Sequence, residues 1–274
     1  MALKVFSPSA KLAPYVEAFW DYEDLIENDS AKLSILPDTT TYLCFLYRDP
    51  LHTIHRQSSY YTRSGLAGFQ SFRNDLAGDG HISGVSARLT AWGLNVFCPG
   101  VVKDCVDRRV DCRDLFPKHT IEQIEENLSK LGTVEARVRH VEQFLLSIIN
   151  PYQEDRLIQE ACRSIQKSKG TCQINSLAMQ LGLGKRTLER RFINHIGVSP
   201  KKFARIVRLR HAILERPTYS SWVEVAQELG YFDQSHMIHD FVELYGYSPE
   251  NLYPQINTSS TIHFSGLLNL CPMQ

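Results

Sequence analysis

An internal repeat constrains this chain more than any other feature. The stretch "SLAMQLGLGKRTLERRFINHIGVSP" at 176–200 lines up with "EVAQELGYFDQSHMIHDFVELYGYSP" at 224–249. Ala178, Leu181 and Gly182 recur 48 residues later as Ala226, Leu229 and Gly230. After one inserted residue, Leu188, Phe192, Gly197, Ser199 and Pro200 recur 49 later as Met237, Phe241, Gly246, Ser248 and Pro249. Two copies are too few for a solenoid, so the pattern specifies a duplicated supersecondary unit.

Each copy reads as helix, tight turn, helix. In the first, Asn175 or Ser176 is positioned to cap a short helix whose inner face carries Leu177, Ala178 and Leu181. Gly182 and Gly184 permit the sharp turn, and Leu188, Phe192 and Ile196 form the inner stripe of a second helix that Gly197 stops. In the second copy Ser221 caps a helix carrying Val225, Ala226 and Leu229. Gly230 turns the chain, Asp233 caps the helix of Met237, Phe241 and Leu244, and Gly246 ends it. Ser199-Pro200 and Ser248-Pro249 are start signals for two more helices. The first of these, with Phe203, Ile206, Val207, Leu209, Ile213 and Leu214 as its apolar stripe, ties the copies together. Upstream, "EDRLIQEACRSIQKSKG" supplies a further helix with Leu157, Ala161 and Ile165 inward. The C-terminal half is therefore expected to be all-α, with about seven helices.

Charge is distributed unevenly over a chain whose net charge is +0. Residues 1–150 hold 16 Lys/Arg against 19 Asp/Glu, and residues 151–274 hold 14 against 11. From Lys185 to Arg216 there are ten Lys/Arg and only Glu189 and Glu215. Such a concentration is the footprint of a polyanion-binding surface, since a merely solvated helix face mixes the signs. Two short helices joined by a glycine turn match the helix-turn-helix plan, whose second helix enters the DNA major groove. With Leu188 and Phe192 inward, Arg186, Glu189 and Arg190 point outward: arginine pairs with guanine, and glutamate accepts from cytosine. On the second such helix Gln234, Ser235 and Ile238 are the outward set, suited to adenine, a small polar contact and a thymine methyl. Lys185, Lys201, Lys202 and His239 are the candidate phosphate contacts, which position without specifying. The rival from another class is an adaptor whose basic helical face docks an acidic protein.

These residues resemble the DNA-binding domain of the AraC/XylS family of bacterial transcription regulators. The resemblance runs from about Leu157 to Tyr253 and rests on "LAMQLGLGKRTLERRF", "GVSPKKFARIVRLRHA" and "VAQELGYFDQSHMIHDF…GYSP". It implies double-stranded DNA and RNA polymerase as partners, with both recognition helices reading successive major-groove segments. Three positions depart from the family pattern. Gly184 stands where a serine cap is usual, His239 where arginine is common, and Ile238 is apolar at an outward position.

The N-terminal half reads as β-rich to about residue 90 and helical after about 119. "KLSILPDTTTYLCFLYR" and "HISGVSARLT" have strand character, with Pro37-Asp38 as a turn. "HTIEQIEENLSKL" starts with a Thr120-x-x-Gln123 capping box, and "TVEARVRHVEQFLLSIIN" carries Val134, Val138, Val141, Leu145 and Ile148 on one face. The expected fold is thus α+β. Residues 1–150 form a small cupin-like β-barrel or sandwich plus helices, serving as a sensor and dimerisation domain. Residues 151–274 form the DNA-binding domain, with core 157–253 and a loose C-terminal tail. Asn150-Pro151 marks the expected junction. Trp20, Tyr42 and Trp92 are the candidate lining of a small-molecule effector pocket, and the two amphipathic helices of 119–149 are the candidate homodimer surface.

Other chemistries have little support. Seven cysteines lack any Cys-x-x-Cys pair, so neither a disulfide framework nor a zinc site is expected. Cys98, Cys105 and Cys112, spaced seven apart, are read as unrelated small apolar positions rather than a sensor. His52, His55 and His81 are weak metal-ligand candidates. No phosphate-cradling loop, nucleophile elbow or paired-carboxylate motif stands out, so no catalysis, cofactor or metal is expected. No apolar run approaches the roughly 18 residues of a membrane span, and the expected location is cytoplasmic.

Overall fold

The computed structural model describes residues 2–24, 32–53, 62–78, 80–257 and 262–263. The chain divides into two compact units. The first comprises Met1–Lys32, Thr40–Phe69 and Asp75–Glu154; the second comprises Leu33–Thr39, Gln70–Asn74 and Asp155–Gln274. Two short N-terminal segments therefore group with the C-terminal helices, an association that no local pattern in the sequence announces.

The N-terminal strands are β1 (Ala2–Phe6), β2 (Val16–Glu23), β3 (Lys32–Ile35), β4 (Thr41–Leu46), β5 (Leu51–Thr53), β6 (Ser64–Ala67), β7 (Asn74–Gly78), β8 (Gly84–Leu89) and β9 (Arg109–Asp111). In the first unit an antiparallel sheet runs in the order β1-β2-β8-β4-β6-β9, and β5 pairs antiparallel with β7. The expectation that the β-rich part ends near residue 90 missed β9. Only a four-residue helix, α1 (Leu94–Phe97), precedes it, and the chain then returns to pair Arg109 with Ala67 and Asp111 with Gly65. A three-residue strand is too short to show alternation.

Strands β4, β6 and β8 are buried on both faces. One face presents Phe19, Leu43, Phe45, Leu66, Val85, Ala87 and Leu89 to the helices α2 (Lys118–Lys130) and α3 (Val134–Ile148). From these come Ile121, Ile124, Leu128, Val138, Val141, Phe144 and Leu145. The apolar stripes of α2 and α3 thus close the unit's own core. An ion pair pins α3 to the sheet: Arg137 Nε donates to Asp21 Oδ2 at 2.9 Å and Nη2 to Glu23 Oε1 at 2.7 Å. Thr133 caps α3 by accepting from Ala136 N at 3.3 Å. The Thr120 capping box does not form. Pro117, with φ −53, is the cap residue of α2, so Thr120 falls inside the first turn. Proline's fixed φ starts the helix earlier than the capping pattern suggested.

The second unit contains α4 (Arg156–Lys167), α5 (Ile174–Gln180), α6 (Lys185–Ile196), α7 (Pro200–Glu215), α8 (Trp222–Glu228), α9 (Gln234–Tyr245) and α10 (Pro249–Asn257). Helix α7 is central, packing against α4, α6, α8 and α9. Edge-on aromatic contacts join the layers, Phe192 to Phe203 at 5.4 Å and Trp222 to Phe241 at 5.7 Å. The caps expected at Ser199, Ser221 and Asp233 form, accepting from Lys202, Glu224 and His236 N respectively. Those at Asn175 and Ser176 do not: α5 starts after Gln173, without a side-chain cap. In α4 the buried stripe is Ile158, Ala161, Cys162 and Ile165, one position on from the expected Leu157.

Candidate nucleic-acid interface

The two helix-turn-helix units are built on the same backbone. Leu183 N donates to Ala178 O at 2.9 Å, and Tyr231 N donates to Ala226 O at 2.9 Å. Gly182 and Gly230 turn the chain at φ +66 and +63, a region costly for any side chain with a Cβ. Gly197 and Gly246 end α6 and α9 in the left-handed conformation. The sequence repeat is therefore a repeat of hydrogen bonds.

That backbone fixes which side chains face outward. On α6, Leu188, Phe192 and Ile196 are buried, while Lys185, Arg186 and Arg190 are exposed and Glu189 is half-buried. On α9, Met237, Phe241 and Leu244 are buried, Ser235 and His239 are exposed, and Gln234 and Ile238 are half-buried. Gln234 Nε2 reaches Glu250 Oε1 at 3.4 Å. Asp233 caps α9, whereas Gly184 leaves α6 with no side-chain cap.

Half of the basic cluster is structural. Arg191 donates from Nε (2.8 Å) and Nη2 (2.6 Å) to Asp155, itself the cap of α4. Arg205 grips Asp240 at 2.6 Å and Glu243 at 2.6 Å, fastening α7 to α9. The Glu243 hydrogen bond, foremost, holds the Arg205 pKa up. Arg208 donates to Gly170 O at 2.8 Å and lies over the Tyr231 ring. Arg210 pairs with Asp38 at 3.2 Å, and Arg216 stacks over Trp222. Net charge overstated the free surface charge, because five of these ten cations hold the domain together. Lys185, Arg186, Arg190 and Lys201 remain exposed, while Lys202 is half-buried and donates from Nζ to Ser71 Oγ at 2.8 Å.

Of the metal-ligand candidates His52, His55 and His81, His81 alone has a described side chain. His55 lies outside the described residues, as do the His52 side chain and Cys271. His81 Nδ1 meets Asp24 at 3.0 Å beside Arg48. Cys98, Cys105 and Cys112 are buried free thiols, with burial raising the pKa of Cys98 to about 12 and of Cys105 to about 11. His239, Asp240 and Glu243 converge, but the Arg205 guanidinium already occupies the centre between the carboxylates.

In the first unit, Trp20 and Tyr42 lie together with ring centroids 5.5 Å apart. Both are on the sheet face turned away from α2 and α3, as the register Trp20↔Ser86↔Cys44 and Arg88↔Tyr42 shows. Trp92 does not join them. It packs on the helix-side core and donates to Pro14 O at 2.9 Å. Sequence reasoning missed the charged groups on the Trp20 face. Arg88 lies over the Trp20 ring and pairs with Glu17 at 2.9 Å. Arg109 lies against Gly65, where even a methyl group would come within 2.9 Å of its Nε. Its Nε and Nη2 are buried with no hydrogen-bond partner. The period-2 alternation of β8 was the available signal, since it places Ser86 and Arg88 on one face.

Residues 177–253 match the family model for a helix-turn-helix domain. The HTH-type transcriptional regulator MtrA of Neisseria gonorrhoeae is 28% identical over 106 residues, covering 38% of this chain and 35% of that protein. The aligned region thus spans about a third of that relative's length. Solved structures of ToxT from Vibrio cholerae are similar at low sequence identity. An apo ToxT variant of strain SCE256 gives a TM-score of 0.43 at 14% identity, covering 86% of this chain and 96% of that one. Wild-type ToxT bound to unsaturated fatty acid gives 0.40 at 13%, covering 92% and 94%. The paired turns, the central helix and the match over 177–253 together identify the C-terminal domain as a DNA-binding helix-turn-helix domain of the kind carried by AraC/XylS-family transcription regulators.

Proposed function

We propose that this chain is a sequence-specific, double-stranded DNA-binding transcription regulator, whose helices α6 and α9 read successive major-groove segments and whose first unit gates that reading. The observation that carries the two-segment reading is the equivalence of the two turns around one shared helix, α7. Two recognition helices on one rigid strut suit boxes about one helical turn, ~34 Å, apart. Arg186, Glu189 and Arg190 read the first box, and Gln234, Ser235 and Ile238 the second. Lys185, Lys201 and His239 contact phosphates, and Lys202 does so once released from Ser71. RNA polymerase is the machinery such a regulator acts on.

Gating is supported by the polar face of the sheet. A guanidinium whose Nε and Nη2 are buried without a partner is costly, and an anion would satisfy it. Arg109, on the sheet face that also carries Trp20, Tyr22 and Tyr42, thus suits a small carboxylate carrying an apolar body. Burial pushes the Tyr22 hydroxyl far above its usual range, so it stays a neutral donor, held at 3.0 Å from Ser86 Oγ.

Selection of bound duplexes from a random DNA library at near-physiological salt tests the reading. Arg190→Ala is expected to relax one base pair in the first box at a cost of ~1–3 kcal/mol, whereas Lys201→Ala weakens all sequences alike. Salt-labile retention without sequence enrichment, for the full chain and for residues 151–274, would favour the adaptor reading instead.

A further inference from the structure

The two helix-turn-helix units keep step at an offset of 48 residues as far as Leu183 and Tyr231, and at 49 from the cap residues Gly184 and Asp233 onward. The single residue inserted between those registers is Phe232. It is 93% exposed, whereas the preceding Tyr231 is buried. Tyr231 packs edge-on against His236 at 5.4 Å, beneath the Arg208 guanidinium. Phe232 precedes the cap of α9, where an apolar side chain commonly folds back onto the fourth helical residue. That residue is Met237, which is fully buried in the core, so the ring of Phe232 contributes no such staple.

An aromatic ring held in solvent is thus placed beside the first turn of α9, next to the outward Gln234 and Ser235. In a helix-turn-helix domain this end of the recognition helix approaches the base edges. The ring offers neither donor nor acceptor. The apolar feature of the major groove is the C5-methyl of thymine. We propose that Phe232 is a specificity-determining residue that reads a thymine methyl at the edge of the second box. This rests on the placement of α9 in the major groove. The first helix-turn-helix copy has no residue between Leu183 and Gly184 to match it, so the thymine preference belongs to one box only.

The test uses the full chain and the site recovered from the wild-type selection. At the edge thymine of the second box, one duplex carries thymine and another deoxyuridine, which differs at that base only by lacking the methyl. The wild-type protein is expected to lose about three- to tenfold in affinity on that exchange, in line with one buried methyl group. Phe232→Ala binds both duplexes equally, and Phe232→Leu keeps part of the difference. An unchanged thermal transition checks that Phe232→Ala is folded. Wild-type indifference to deoxyuridine, or an undiminished difference in Phe232→Ala, overturns the proposal. So does loss of transcriptional output with unchanged DNA binding, which would make Phe232 a protein contact. Gln234→Ala separates the two levels. If it shifts base preference in the second box while deoxyuridine has no effect, only the role of Phe232 fails. If it shifts nothing, the placement of α9 fails with it.

Discussion

Arg191 and Arg190 are neighbours on α6 with opposite expected roles, and separating them tests how the interface is built. Arg191 makes two charge-assisted hydrogen bonds to Asp155, at 2.8 and 2.6 Å. The Asp155 side chain is 7% exposed and that of Arg191 32%. Breaking a fully buried pair by removing one partner costs about 3–5 kcal/mol. Because Arg191 is about a third exposed and Asp155 keeps its cap bonds from Leu157 and Ile158 N, Arg191→Ala should cost less, about 1–3 kcal/mol. Arg190 is exposed, so Arg190→Ala should leave stability within about 0.5 kcal/mol. Urea unfolding of both variants gives the first comparison, and base preference from duplex selection gives the second. Arg191→Ala should lower the midpoint while recovering the wild-type site, and Arg190→Ala should do the reverse. A changed base preference in Arg191→Ala at unchanged stability would refute the division of α6 into a clamping and a reading face.

Further outcomes follow from the packing. Arg137→Ala strands Asp21, whose side chain is 2% exposed, and should cost about 3–5 kcal/mol by denaturant titration; adding Asp21→Asn should recover part of it. Gly246→Ala places a Cβ at φ +78 and should cost about 1 kcal/mol, read as a lower thermal midpoint. Burial lowers the pKa values of His140, His195 and His211 below 6.5, so the folded state binds fewer protons than the unfolded one just below that pH. Stability should therefore be retained above pH 6.5 and decline as pH falls through the window beneath it, as urea midpoints across pH would show. In Gly65→Ala the added methyl displaces the Arg109 guanidinium, so binding of phenylacetate or octanoate that depends on Arg109 should be lost in Gly65→Ala and Arg109→Gln alike. Calorimetric titration of the full chain reads this directly.

What the sequence made legible was local. Glycines at 182, 197, 230 and 246 and caps at Ser199, Ser221 and Asp233 act within a few residues of themselves, and the repeat displayed them twice. Caps failed where a neighbour outranked them, as at Thr120, three residues after Pro117. The role of Arg191 was half visible. Three residues after Leu188 and four before His195, it lies on the inward flank of α6, but its partner Asp155 is distant in sequence. The same holds for Arg205 with Asp240 and Arg210 with Asp38, where counting charges cannot tell a clamp from a free cation. The polar sheet face escaped notice because only β8 alternates, Val85, Ala87 and Leu89 against Ser86 and Arg88, while β4 and β6 are buried on both sides and show no alternation.

The central claim is that α6 and α9, fixed on α7, read two boxes on one face of the duplex. The most direct measurement is the affinity of the full chain for its selected site against the same site with about 5 base pairs inserted between the boxes, half of a ~10–10.5 base-pair turn. A rigid strut predicts a loss of tenfold or more, down to the level of a single box, and no recovery when the insertion is extended to a full turn, because α7 cannot span the added ~34 Å. Unchanged affinity at the half-turn insertion would contradict the account, because it would mean that the two helices do not read the site together.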